Sequence, residues 1–135
     1  MKCRRLAAAL AVTLLWTGSV SARDDGGEKY KAPPEIIATL PQFCWWYYLD
    51  NVPLDPRFEA CGSYSNHYCP GLVLMQQADK EKNPRSAYYL LKEAADAMVY
   101  TLKPWTPPEC FLRPLAQINL SRIQFQIDML KYKKR

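Results

Sequence analysis

The sequence predicts an all-α fold, a small disulfide-stapled bundle of three to four helices arranged as tetratricopeptide-like hairpins. Three observations carry this. Segment 84–103 has a sustained helical period: Ala87, Leu90, Leu91, Ala94, Met98, Thr101 and Leu102 fall within about 60° of one line at 100° per residue. Apolar–polar alternation never lasts beyond a few residues, and the breaks are prolines rather than Asn-Gly or Asp-Gly hairpin turns. Four cysteines, Cys44, Cys61, Cys69 and Cys110, follow residue 22. An even number of cysteines in an exported chain of this size reads as two disulfides, with three connectivities open.

Export is read from the N-terminus. "MKCRR" is basic, "LAAALAVTLLW" is an apolar run of 11 residues, and "TGSVSA" has small residues at Val20 and Ala22 before a cut at Arg23. That order predicts a secretory signal peptide over residues 1–22, and the apolar run is short for a membrane-spanning helix. Residues 23–39 are expected to be a flexible leader, polar at first and carrying adjacent glycines, and residues 40–135 a single helical domain. Such a domain buries a modest core, so covalent links add much of its stability. The chain carries 18 Lys and Arg against 13 Asp and Glu, but three of the basic residues precede residue 23 and four lie in the tail "KYKKR". Residues 23–130 therefore hold 11 basic and 13 acidic groups. No basic face for nucleic acid is expected, and any contact with an anionic membrane would come through the tail alone.

Along the domain, Pro41 suits a first helical turn, and a short helix is expected from there to about Asn51. "VPLDPRFEACGSYS" (52–65) has two prolines, a glycine and no period, and reads as loop. Asn66 is the expected N-cap of "HYCPGLVLMQQADKEK", with Pro70 in the first turn and Asn83-Pro84 as the stop. The helix 84–103 turns Arg85, Tyr89, Lys92, Glu93, Asp96, Tyr100 and Lys103 to solvent, and its alanines at 94, 95 and 97 permit close approach of another helix. "PWTPPE" breaks the chain. The last helix, roughly 115–133, has two polar strips with two apolar flanks between them. Ile118, Phe125 and Met129 form one flank; Ala116, Ile123, Ile127 and Leu130 form the other. Two flanks predict neighbours on both sides, one of them supplied by another molecule.

"CWWYYLD" (44–50) places Trp45, Trp46, Tyr47 and Tyr48 consecutively after a cysteine. At 100° per residue four rings cover every side of a helix. With Cys44 tethered inward, Trp45 and Tyr48 flank the core direction and Trp46 points away. Either the loop 52–65 folds over it, or Trp46 and Tyr47 present a docking surface for a partner or a sugar chain.

"LPQFC" (40–44) and "NHYCPGLVLM" (66–75) resemble the N-terminal module of exported bacterial tetratricopeptide-repeat proteins, which reads Leu-Pro-x-aromatic-Cys, a loop, then a His-His-Tyr-Cys-x-Gly-Leu helix start. "AMVYTLKPWTPPECFLRPL" matches the module's later part, so the resemblance covers about residues 40–130. Asn66 stands where the commoner form has histidine. The resemblance implies that Cys44 pairs with Cys69, leaving Cys61 with Cys110. It further implies that the last helix would pack on a following repeat in larger relatives, so that here its face is free for another copy or a different protein.

Candidate chemistry is sparse. His67 is the only histidine and lies two residues before Cys69, but a bridged Cys69 has no thiolate to offer. Cys-x-x-Cys, Cys-x-x-Cys-His and Gly-rich phosphate loops are all missing, so no cofactor, metal or catalytic residue is expected. The expected function is a non-enzymatic adaptor or assembly module of the periplasm or cell envelope, binding a protein partner or itself through Ile118, Phe125, Ile127, Met129 and Leu130. Binding of envelope polysaccharide or peptidoglycan through Trp46 and Tyr47 is the alternative, and an enzyme the third.

Overall fold

The computed structural model describes residues 30–132, so the expected signal peptide, the first part of the expected leader and the last three residues of the tail lie outside the described residues. The described residues are mostly helical, and none of them forms a strand. It runs α1 (Pro34–Ile37), three 3-10 turns (Gln42–Tyr47, Pro56–Cys61 and Ser63–His67), then α2 (Tyr68–Lys80), α3 (Pro84–Thr101) and α4 (Leu112–Tyr132).

The three long helices form the frame. Asn83 does more than stop α2: its Oδ1 accepts from the backbone N–H of Arg85 (2.9 Å) and Ser86 (3.3 Å), which caps α3, and Pro84 takes the first helical position. The short connection 81–83 makes α2 and α3 antiparallel. They approach closely because Gly71 lies against α3, where an added Cβ would stand 3.0 Å from Ala97 Cβ. The alanine-rich stretch read from the sequence thus meets a glycine on its partner. α4 returns antiparallel to α3 and runs alongside α2: Asn119 donates to the Tyr68 hydroxyl (2.9 Å) near the start of α2, and Gln126 donates to Asp79 (2.7 Å) near its end. Met98, Leu112, Ala116 and Ile123 are fully buried where these helices meet.

Cys44 is joined to Cys69 and Cys61 to Cys110, with Cα separations of 5.6 and 4.6 Å. The first bridge staples the Gln42–Tyr47 turn to α2, the second staples the Pro56–Cys61 turn to the segment leading into α4. All four sulfurs are buried. These bridges indicate an oxidising, extracytoplasmic environment. Among the described residues no helix is long and apolar enough to cross a membrane.

Several expectations are corrected. The flexible leader does not extend to residue 39: Ile36 of α1 and Leu40 are core residues, 2% and 4% exposed, and the Tyr30 N–H donates to the Tyr47 carbonyl (3.1 Å). Asn66 does not cap α2, because the chain is already helical from Ser63 and enters α2 without a side-chain cap. The loop 52–65 is two 3-10 turns. Asp55 caps the first by accepting from the Arg57 N–H (3.0 Å), and its carboxylate also holds the Arg57 guanidinium at 3.0 and 2.7 Å. α4 begins three residues earlier than expected, at Leu112, with Pro114 in its first turn where no intrahelical donor is needed.

Candidate functional site

The aromatic run resolves through its helix type. Gln42–Tyr47 is a 3-10 turn, with three residues per turn rather than 3.6, so residues three apart eclipse. Cys44 and Tyr47 therefore share the inward face, and both are buried. Tyr47 is corrected from a docking residue to a core residue. Trp45 is half-buried and donates from Nε1 to the Leu40 carbonyl (3.1 Å). Trp46 is half-buried rather than projecting: its ring lies 3.9 Å from that of Tyr47, and Phe58, from the loop 52–65, stands edge-on to it at 5.9 Å. Phe58 also meets Phe111 edge-on at 5.4 Å, and the Arg57 guanidinium covers Phe111 at 4.6 Å. The covering of the run is thus supplied from within the chain. Burial pushes the Tyr47 and Tyr48 hydroxyls far above the ordinary tyrosine range.

Trp46 and Tyr47 nonetheless reach a cleft of about 430 Å³, walled by Leu54 and Phe58 and edged by Glu59, Ser63 and Asn66. Gly62 sits in its wall at φ +72°, ψ 177°, a conformation open to glycine and costly for any residue with a Cβ. An aromatic floor with a few polar edge groups is the general form of a small-ligand site, and the volume falls in the range such sites occupy.

The second feature is the outer side of α4. Ile123 and Ile127 point inward, so Ile127 is corrected from an interaction residue to a core residue, at 6% exposure. Leu130 is half-buried and lines, with Pro84 and Tyr88, a shallow groove of about 240 Å³. Ile118, Phe125 and Met129 remain 59%, 67% and 44% exposed, and Tyr132, not anticipated from the sequence, is 76% exposed. Phe125 and Met129 also border a groove of about 370 Å³ that continues over Ala87 and Leu91 of α3. The polar strip Asn119–Gln126 is the inner one and faces α2, since both side chains bond to that helix. The period of α4 marks two apolar flanks as equals, and only the packing distinguishes the covered one from the open one.

His67 does not meet Cys69 as a catalytic pair, because Cys69 is bridged. Its ring packs at 3.9 Å on Tyr100, and burial holds its pKa below the ordinary histidine value. Tyr64 and Trp105, both 46% exposed, extend this stack at the open end of α3, with their rings 5.3 Å apart. The clustering of these two rings was not legible from positions 41 residues apart. Among the described residues no group of His, Cys, Asp and Glu side chains is placed to hold a metal ion.

Fold and cross-links together define a small, disulfide-stapled all-α protein. No family model matches the chain, and no curated protein or solved structure compared with it does so either.

Proposed function

We propose that this chain is a non-enzymatic protein–protein interaction module, exported by its N-terminal signal peptide and acting as an adaptor or assembly piece in the periplasm or cell envelope. One observation carries the reading: a fully packed bundle leaves Ile118, Phe125, Met129 and Tyr132 open on one side of its longest helix. Apolar residues gathered along one line, in a protein whose core is otherwise closed, mark an interaction surface more often than an accident of composition. The resemblance of "LPQFC" and "NHYCPGLVLM" to exported tetratricopeptide-repeat modules supports the same reading. The test is cross-linking in intact envelopes followed by purification of the tagged chain. A partner protein lost on Phe125→Asp is expected. Adducts identical for wild type and variant would remove the support from α4.

A second reading, glycan binding, is favoured by the cleft over Trp46 with Glu59, Ser63 and Asn66 at its edge. Sugar rings stack on such aromatic floors while edge groups take their hydroxyls. Titration of tryptophan fluorescence with peptidoglycan fragments, using Trp46→Ala as control, tests it; an unchanged spectrum at saturating fragment counts against it.

A further inference from the structure

Taking the outer side of α4 as a docking surface, as proposed above, we propose further that its occupant is a second copy of this chain, paired antiparallel about a two-fold axis. Leu115, Ile118, Arg122, Phe125, Met129 and Tyr132 succeed one another at spacings of 3, 4, 3, 4 and 3. That is the seam spacing of a two-stranded coil. It lies on the open side of the helix: Leu115 is half-buried and the other five are exposed.

The order of residues within the seam selects the orientation. Reversing a second α4 about the midpoint between Ile123 and Gln124 sets Leu115 against the second copy's Tyr132, Ile118 against Met129, and Arg122 against Phe125. Every layer then joins residues of unlike size, and the one charged layer becomes a guanidinium over an aromatic ring, an attractive pairing. Asp128, one turn beyond Phe125, stands beside the arriving Arg122 and supplies the opposite charge. A parallel, in-register pair would instead set Arg122 on Arg122, two like charges in one layer. Arg122 makes no ion pair or hydrogen bond within its own chain among the described residues, although its charge also acts on the Tyr68 hydroxyl; Asp128 already takes Lys131 at 3.4 Å and Gln124 at 3.0 Å. The seam spans about 27 Å of helix. Covering its exposed side chains and their borders buries roughly 500–600 Å² per copy, at the low end of specific interfaces. The pair is therefore expected to be reversible, with a dissociation constant on the order of tens of micromolar, rather than obligate.

Sedimentation velocity of the oxidised, signal-free chain from about 1 to 300 µM, bracketing that constant, reads the association directly. Phe125→Asp, a surface change checked for intact folding by circular dichroism, should weaken it at least roughly 30-fold. Arg122→Leu, which makes the charged layer apolar, should tighten it about tenfold. Orientation is read separately with benzoylphenylalanine in place of Tyr132 in a mixture of isotope-labelled and unlabelled chains. The expected intermolecular adduct lies at or next to Leu115; an adduct at the other copy's residue 132 overturns the antiparallel pairing. A chain that stays monomeric over the whole range, with or without binding to anionic vesicles, overturns the second copy as occupant. In that case a Phe125-dependent envelope partner would still uphold the adaptor reading, and the lack of one would end that reading too.

Discussion

Gly71→Ala sets two known effects against each other at the closest contact between α2 and α3. Within a helix the change from glycine to alanine is worth about 1 kcal/mol in favour of folding. Against that, the new methyl would stand 2.9 Å from Met98 Cε and 3.0 Å from Ala97 Cβ. The methionine terminus is the flexible end of a side chain, though a fully buried one. The alanine methyl is fixed to its backbone and can yield only if α3 moves. Overpacking of this kind costs about 1–3 kcal/mol. The cost outweighs the gain, and the variant should lose about 1 kcal/mol net. Adding Ala97→Gly removes the rigid neighbour and exchanges one helical glycine for another, so the double variant should return to within about 0.5 kcal/mol of wild type. The assay is urea unfolding of the oxidised protein followed by tyrosine and tryptophan fluorescence, with unchanged slope as the check that only stability moved. A single variant more stable than wild type by the full propensity gain would refute the close contact. So would a double variant whose loss is simply the sum of the two single losses.

Tyr68→Phe should cost about 1–2 kcal/mol, because it strands the buried Asn119 amide, whereas Tyr68→Phe with Asn119→Leu should recover most of the loss; a double-mutant cycle in urea measures the coupling. Thr106→Val should stabilise by about 1 kcal/mol, since Thr106 is 1% exposed and its buried hydroxyl finds no hydrogen-bond partner among the described residues; the unfolding midpoint reports it. Replacing both Cys61 and Cys110 by alanine opens a 49-residue loop and should cost about 4 kcal/mol, against about 3.5 for the Cys44–Cys69 pair and its 25-residue loop; equal midpoints for the two variants would contradict the loop-length account. In alkali, the hydroxyls of Tyr47 and Tyr48 are held well above their unfolded value and that of Tyr68 is pushed up to about 12, in each case chiefly by burial. The unfolded chain therefore loses these protons first, and stability falls as pH rises past 10, the unfolded value. Tyrosinate absorbance should show them ionising only together with loss of the helical signal.

Legibility from the sequence followed the range of the interactions involved. α3 was read almost to the residue because its apolar line, its Pro84 start and its proline-rich end are local, and none competes with another. The breadth of α4 was equally plain, but Ile118–Phe125–Met129 and Ala116–Ile123–Ile127 are equivalent as patterns. Whether Ile127 or Phe125 is covered depends on where α3 lies. The aromatic run misled for a different reason. A 100° period assumes an α-helix, whereas Pro41 and the Cys44 bridge hold a 3-10 turn in which Tyr47 follows Cys44 inward. The cleft over Trp46 was out of reach as well, since its walls come from positions 46 to 66 and their meeting depends on Phe58 packing into the core.

By itself the sequence determined the all-α class, the order of the long helices and the four cysteines available for cross-linking. Each of these is a property of neighbouring residues or of composition, and local sterics and hydrogen bonding settle them. Only the tertiary structure decided which of the three cysteine connectivities holds, which flank of α4 stays open and what covers the aromatic run. Those outcomes rest on contacts between residues tens of positions apart, where many arrangements satisfy the same local pattern and close packing admits one.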